Sequence, residues 1–288
     1  MIKMSDRTER RIRTLNDRFK DNLDSIKYIT TQKTDTHFLC SYYENYYELS
    51  MYELFLNKNE KNAIDYLNKA INANDALYKI ANSRGEEIKI FYEGIPEAII
   101  KGQVIYNHIT PWNFPDHFCL ILLARKKNYL NEMLNFDIDN FNPEKAGLSG
   151  PAYYNNYIKI FINFFRIKKT DILLEEMEKC NKEITDYAEV RGKKVEDNYS
   201  YSTILLFKAI LEKDSNTANQ LLEKRLILYK NSYEDDLSNP LSLYPYHLLG
   251  WCAFLNDIGM EITIQSDYLP EFLVKGTFTK EKWTWPMG

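Results

Sequence analysis

Apolar residues recur at helical spacing along most of the chain. Between residues 5 and 28 they lie three and four positions apart, and residues 36–57 place an aromatic stripe on one helical face. A third stripe covers residues 60–82, after a break of polar residues at 57–59. Two helices joined by so short a turn pack as a helical hairpin. The pattern therefore predicts a long first helix followed by a hairpin.

The same arrangement recurs further along, as an aromatic helix, a Lys- and Asn-rich turn and a Leu-rich helix. The turns lie near Lys126, Lys168, Lys213 and Asp257, so successive turns are 42, 45 and 44 residues apart. One hairpin cannot bury its apolar face alone, and such a period is typical of stacked hairpins. The predicted fold class is all-α: stacked antiparallel helical hairpins, similar to tetratricopeptide-repeat and α-solenoid proteins.

We predict a single all-helical domain over residues 1–288, divided into four parts. The parts are N-terminal helices (1–83), an insertion (84–115), helical-hairpin repeats (116–257) and a C-terminal capping segment (258–288). Alternating apolar and polar residues at 258–265 predict at most a short extended segment near the C-terminus. A similar alternation at Ile88, Ile90 and Tyr92 allows a short extended piece in the insertion.

Composition agrees with a helical fold and narrows the class of partner. Gly and Pro number only 10 and 9, which favours long helices with short loops. Tyr is abundant at 22, and tyrosine is enriched at protein interfaces as well as in cores. The net charge of −4 divides into +4 on residues 1–20 and −8 on the remainder. This balance argues against nucleic acid and suits a partner with a basic surface.

The cysteines and the apolar segments indicate a compartment. Four separated cysteines without a CxxC motif predict buried free thiols in a reducing cytoplasm. The basic N-terminal region is not followed by an apolar run, so we predict no signal peptide. No stretch reaches the roughly 18–20 uncharged apolar residues that a membrane helix needs. The expectation is a cytoplasmic protein without a membrane segment.

Motifs for catalysis and for metal binding are missing from the sequence. It contains no HExxH, GxGxxG or GxSxG pattern and no P-loop, so we predict no metal and no cofactor. Asp116 and His117, next to Pro115, are one polar pair considered as a site. The preferred interpretation of this pair is the capped N-terminal region of a helix. We therefore predict that the protein binds another protein and is not an enzyme.

Two acidic clusters are the candidate partner-binding surfaces. The first cluster consists of Tyr42, Glu44, Tyr46 and Glu48. The second cluster consists of Glu234, Asp235 and Asp236. An ordinary solvated helix face is the alternative for each cluster. As an interface, the carboxylates would steer a basic partner and the tyrosines would anchor it.

The C-terminal third resembles a known family. A helix at Trp251–Leu255 is followed by Gly259, an alternating stretch at Met260–Ile264, the step Tyr268-Leu269-Pro270 and finally Leu273. This order is similar to the end of the immunity protein 49 family of bacterial polymorphic toxin systems, most closely over the C-terminal ~40 residues. The resemblance implies a mostly helical cytoplasmic protein that neutralises a cognate toxin by binding it.

The same motif also has a purely structural interpretation. Gly259 would end a helix in a left-handed cap, and Pro270 would open a final turn. Tyr268 and Leu269 would then pack back against the last hairpin. On this interpretation the motif closes the helical stack and is not itself a binding site.

Three functions stay open at this point. The first is an immunity protein that occludes the active surface of a cognate toxin. The second is a helical-repeat adaptor that binds a peptide in a concave groove. The third is a helical enzyme, which would need a pocket with perturbed titrating groups. The resemblance favours the first function and the missing motifs disfavour the third. A homodimer also stays open, because surface tyrosines serve self-association as readily as partner binding.

Overall fold

A computed structural model of the chain describes residues 9–29, 36–92, 95–103, 108–137, 151–166, 170–233 and 242–285. The helices are α1 (Glu9–Ile29), α2 (Thr36–Tyr52), α3 (Glu60–Asn82), α4 (Asn113–Ala124), α5 (Lys127–Leu134), α6 (Tyr153–Phe165), α7 (Thr170–Val190), α8 (Tyr199–Glu212), α9 (Ser215–Tyr233), α10 (Tyr246–Asp257) and α11 (Glu271–Lys275). A π-helical turn, Glu53–Asn57, extends α2, and a 3-10 turn, Val195–Asp197, precedes α8. The strands are β1 (Glu87–Tyr92) and β2 (Ile95–Lys101). The predicted all-α class is confirmed.

Three helix pairs share the same two-residue connection. Lys58, Arg125 and Lys213 each follow a helical segment with a φ of 54°, 58° and 56°. The next helix begins two residues later in every case, and the two helices pack against each other. In two of these turns the second residue caps the new helix, since Asn59 accepts from the Asn62 N–H and Asp214 from the Thr217 N–H. The turns that the sequence shows between paired helices therefore contain one residue in the left-handed conformation, which ends the first helix and reverses the chain.

Helices α4 and α10 approach each other closely at Gly250. A Cβ atom on Gly250 would lie 2.2 Å from the main-chain oxygen of Cys119, so only glycine fits at this crossing. Aromatic rings of α4, α6, α8 and α10 surround the crossing and form much of the core. These rings belong to Phe118, Phe161, Phe165, Phe207, Trp251 and Phe254. The packing fixes the relative positions of the four helices that also form the candidate site.

A buried ion pair joins the ends of α4 and α10, and its arginine also holds the C-terminal segment by hydrogen bonds. Arg125 Nε lies 3.0 Å from Asp257 Oδ2, and both side chains are fully buried. The Arg125 guanidinium also donates to the main-chain oxygens of Leu273 and Val274, at 2.7 Å each. The indole N–H of Trp283 donates to the oxygen of Leu122 at 2.8 Å. The last residues of the described chain are therefore held to the core by hydrogen bonds as well as by apolar contact.

The structural interpretation of the C-terminal motif agrees with this arrangement. Gly259 has a φ of +84° directly after α10, and Pro270 immediately precedes α11. Tyr268 and Leu269 are both buried in the core. The motif closes this end of the helical stack.

The short extended piece that the alternation at Ile88, Ile90 and Tyr92 allows is present as β1. Strands β1 and β2 form an antiparallel hairpin in which Glu87 lies opposite Lys101. Residues 260–265, which alternate in the sequence, form no strand. Their main chain instead bonds to the side chain of Asn219 on α9, through the oxygen of Glu261 and the N–H of Thr263. The side chain of Asn219, and not a neighbouring strand, forms these main-chain hydrogen bonds.

Two further sequence expectations can be compared with the structure. The four cysteines are buried free thiols, as predicted. None of the helices in the described ranges combines the length and the apolar composition that a membrane span requires. The predicted turn at Lys168 lies outside the described residues.

Candidate functional site: a tyrosine-lined cavity

A cavity of about 570 Å³ lies where four helices begin. The N-terminal ends of α4, α6, α8 and α10 line it, and the C-terminal half of α9 closes the opposite side. Tyrosines dominate the wall, among them Tyr47, Tyr153, Tyr154, Tyr157, Tyr199 and Tyr229. The lining therefore presents aromatic faces and hydroxyl groups in one concave site, which is the usual form of a binding pocket.

Local capping places the helix starts at the cavity. The Thr110 hydroxyl accepts from the Asn113 N–H at 3.0 Å, which begins α4. The Asn198 side chain accepts from the Tyr201 N–H at 3.2 Å and begins α8. Pro245 precedes the first residue of α10. Side chains from the first turn of each helix therefore line the cavity, and each helix contributes only a few of them.

Asp116 is an acidic group of the cavity without a protein partner. Its side chain is exposed within the cavity and forms no hydrogen bond or ion pair with any residue that the structure describes. Water reaches the carboxyl group, but the surrounding protein excludes most of the solvent around it. This burial raises the pKa of Asp116 to about 7, against the smaller opposing effect of the Arg225 charge. The group titrates near neutral pH, which is unusual for an aspartate.

Arg225, on the opposite wall, already has partners. Its guanidinium lies 4.4 Å from the centre of the Tyr199 ring and donates to the main-chain oxygen of Asp197 at 3.1 Å. Burial lowers the pKa of Arg225, and the nearby Tyr199 opposes that shift. Arg225 and Asp116 both line the cavity, but they do not form an ion pair. His247, nearby, is neutral at pH 7, because burial and the charge of Arg225 lower its pKa to about 3.

A second titratable cluster is closed to solvent. The rings of His108 and His117 stack at 4.5 Å, and both side chains are buried. His117 Nδ1 shares a 3.2 Å hydrogen bond with the Tyr78 hydroxyl, and His108 Nε2 lies 3.2 Å from Asn74 Oδ1. Although His117 follows Asp116 in the sequence, the two side chains have separate surroundings and do not form a pair. The capping role expected for this region belongs to the Thr110 hydroxyl.

The first predicted cluster is largely internal. Tyr42 and Tyr46 are only 1% and 9% exposed. Their rings contact Tyr92 of β1 and Tyr66 of α3 at 5.1 and 5.8 Å. The expectation that these two tyrosines face a partner is corrected, because α1, α3 and β1 cover more than one face of α2. Tyrosines on every side of a helix are equally consistent with burial on several sides and with an interface to a partner protein.

The acidic members of the predicted clusters differ in position. Glu48 is half-buried and accepts hydrogen bonds from the Asn22 side chain at 2.9 Å and from the Tyr52 hydroxyl at 3.4 Å. It therefore joins α1 to α2. Glu44 is exposed, and partner binding there stays a prediction. The second cluster, Glu234, Asp235 and Asp236, lies outside the described residues; Tyr233, which precedes it, lines the cavity.

Sequence reasoning could not assemble the cavity, because its residues are spread from position 47 to position 247. Two signals were present. One was the abundance of tyrosine, and the other was an aspartate directly after Pro115. Neither signal shows that Asp116 and Arg225 share a space, since that requires the packing of α10 against both α4 and α9.

The fold and the cavity define an all-α protein of packed helical hairpins with a concave polar site between helix ends. A model of the family described as immunity protein 49 matches residues 102–273, and the chain belongs to that family. The match covers more than half of the chain and extends well beyond the C-terminal motif. It includes every residue of the cavity lining except Tyr47. Comparison with curated proteins and with solved structures found no match.

Proposed function

We propose that this protein binds a cognate bacterial toxin in the cytoplasm and neutralises it by covering the toxin's active surface. The observation that carries the proposal is membership of the immunity protein 49 family, with a match over residues 102–273. Protection by binding requires a complementary surface and no turnover. The proposal therefore includes the absence of enzymatic activity.

The cavity face is the contact surface that we favour. Trp112 lies in the cavity lining with 36% of its surface exposed, and its ring is 6.2 Å from that of Tyr154. Partly exposed tryptophan and tyrosine beside a concave site are the residue types that anchor protein complexes. The family-matched segment carries 24 Asp and Glu against 18 Lys and Arg, so a basic toxin surface would complement it.

Co-expression with the protein encoded by the adjacent gene tests this function. The expected result is that the adjacent product alone arrests growth, that this chain restores growth, and that the purified pair binds with nanomolar affinity. Toxicity without rescue, or no binding to the folded adjacent product, would refute the proposal. It would then favour an adaptor that binds peptides in a groove, which a pull-down with this chain as bait would test.

Variants locate the contact surface. Trp112→Ala should weaken toxin binding by about tenfold or more, because anchoring aromatics carry much of the affinity. Tyr28→Ala is the matched control, since Tyr28 is 66% exposed on α1 and lies outside the family match. Glu44→Lys and a triple lysine variant of residues 234–236 test the two acidic clusters. A loss of protection with Glu44→Lys but not with Trp112→Ala would place the contact on α2.

The cavity gives specific support to one second candidate, an enzyme that modifies the toxin or its product. A carboxyl group with a pKa near 7 in a water-accessible cavity is the kind of group that acts as a general acid or base. Titration of toxin activity distinguishes the two functions. A binding protein abolishes activity at one molecule per toxin molecule and not below that ratio. An enzyme would inactivate the toxin at a small fraction of that ratio, given time.

A further inference from the structure

We propose that the cavity receives a lysine or arginine side chain of the toxin, and that this cation pairs with the carboxylate of Asp116. The inference rests on the proposed function and names the chemistry of the contact.

The two opposite charges in the cavity have unequal surroundings. Arg225 is held by the Tyr199 ring at 4.4 Å and by the oxygen of Asp197 at 3.1 Å. Asp116 has no hydrogen bond or ion pair within the described chain, yet it is open to the cavity. A charge partly removed from water is costly until an opposite charge meets it. Asp116 therefore requires a cation, although the buried Nε of Arg225 also has no hydrogen-bond partner in the described chain.

The aromatic wall of the cavity also suits a cation. The faces of tyrosine rings attract ammonium and guanidinium groups, most strongly where water is excluded. The molecule already uses this contact twice beside the cavity. The Arg225 guanidinium lies over Tyr199, and that of Arg191 lies 4.8 Å from the centre of the Tyr187 ring. Tyr187 in turn contacts the ring of Tyr153 in the cavity wall at 5.4 Å. A further cation beside the remaining tyrosines follows the same chemistry.

The size of the cavity and the charge of the segment around it also suit a basic side chain. The volume of about 570 Å³ accommodates one long side chain with several waters. The segment from residue 102 to 273 has a net charge of −6, which attracts a basic partner from a distance. Arg225 and the amino ends of the four helices act in the opposite sense and would favour an acidic side chain. A basic and an acidic occupant of the cavity would therefore respond in opposite ways to substitution of Asp116 and of Arg225.

Affinity measurements on the purified complex test the inference. Asp116→Asn keeps the shape of the side chain and should weaken toxin binding by about tenfold or more. Asp24→Asn is the control, because it changes the net charge equally, is 73% exposed on α1 and lies outside the family match. It should leave affinity within about twofold. The thermal midpoint of free Asp116→Asn at pH 8 should equal or exceed that of the unmodified protein, which excludes misfolding as the cause of weaker binding.

Four outcomes are distinguishable. Weaker binding of Asp116→Asn alone supports a cationic occupant. Equal affinities of Asp116→Asn, Asp24→Asn and the unmodified protein overturn the inference and leave the proposed function intact. Weaker binding of Arg225→Gln with unchanged binding of Asp116→Asn identifies an acidic occupant and also overturns it. Failure of the unmodified protein to bind the toxin refutes the proposed function itself.

A double-mutant cycle then identifies the occupant. Each surface Lys and Arg of the toxin is replaced by Met, and every variant is measured against the unmodified protein and against Asp116→Asn. One toxin variant should lose about tenfold or more against the unmodified protein and almost nothing further against Asp116→Asn. If every basic residue of the toxin contributes independently of Asp116, the pairing is wrong.

Discussion

Replacement of Arg125 by methionine should be among the most damaging single changes in this protein. The Arg125 side chain is fully buried and spans the ends of α4, α10 and α11. It pairs with Asp257, whose side chain is also fully buried, and donates to the main-chain oxygens of Leu123, Leu273 and Val274. Methionine preserves much of the apolar volume but provides no donor. The variant therefore isolates the polar contribution of the guanidinium.

The magnitude follows from the groups that lose their partner. Breaking a buried ion pair by removing one member costs about 3 to 5 kcal/mol, because the other charge stays buried. Three main-chain oxygens also lose a charged donor. Lys282 Nζ, 3.1 Å from Asp257 Oδ1, still compensates part of the Asp257 charge. We expect a net loss of about 4 kcal/mol, a large fraction of the 5–15 kcal/mol by which such a domain is typically stable.

Urea unfolding followed by circular dichroism measures this loss directly. Lys282→Met is the control, because Lys282 contacts the same carboxylate from a side chain that is 44% exposed, and it should cost less than about 1 kcal/mol. The double variant Arg125→Met, Asp257→Leu should recover part of the stability, since no buried charge is left unpaired. A loss for Arg125→Met no larger than that of Lys282→Met would refute the reasoning.

Four further predictions concern single positions, and all are measured by urea unfolding. Lys213→Gly should stabilise the fold by about 0.5 kcal/mol, because glycine adopts the left-handed backbone of this turn without strain. The control Lys208→Gly, inside α8, should cost about 1 kcal/mol. Equal effects of the two substitutions would contradict this reason. Gly250→Ala should cost about 3 kcal/mol through overpacking, and a change below about 0.5 kcal/mol would show that α4 and α10 can separate. Burial lowers the pKa of His108 from 6.5 to about 4. As the pH falls, the unfolded chain therefore takes up the proton first, and the free energy of unfolding decreases by about 3 kcal/mol between pH 6.5 and pH 4. An unchanged pH dependence of stability in His108→Gln would contradict this prediction. The pKa of Asp116 is raised from 3.8 to about 7, so the protein loses stability as the pH rises between these values. Asp116→Asn should therefore be more stable by about 1 kcal/mol at pH 8, a small value because the carboxyl group reaches water. An equal gain at pH 4 would contradict the titration of Asp116.

The helical hairpins were predictable because their signal is local. The turn at Lys213 and Asp214 is specified by residues within a few positions, as are the matching turns at Lys58 and Arg125. Apolar spacing on each side sets the helix faces, and those faces require stacking. The alternation at Ile88, Ile90 and Tyr92 lies in β1, whereas the alternation at 260–265 forms no strand, because alternation alone does not provide a strand partner. Residues 260–265 alternate, yet the Asn219 side chain takes their hydrogen bonds.

The candidate site was less predictable because burial on a helix depends on its neighbours. Tyr42 and Tyr46 lie on a segment that reads as an aromatic surface, but α3 and β1 cover their rings. Trp112 and Asp116 stand four residues apart in an unremarkable helix start. They become a site only when α6, α8 and α9 bring tyrosines and Arg225 around them. That arrangement is a property of tertiary packing, with no counterpart in sequence spacing.

Asp116 connects the stability of the free protein to its proposed complex. In the free protein, ionising this carboxyl group costs stability, since the cavity supplies neither a hydrogen bond nor an ion pair from the described chain. A cation from a partner would remove that cost, lower the pKa of Asp116 and convert the penalty into binding energy. Binding should then weaken as the pH falls below about 7, because a proton must leave Asp116 before the pair forms. The Asp116→Asn variant should show a flatter pH dependence, and its greater stability should accompany its weaker binding. Opposite signs for stability and affinity at one residue distinguish a contact kept for a partner from a contact that supports the fold.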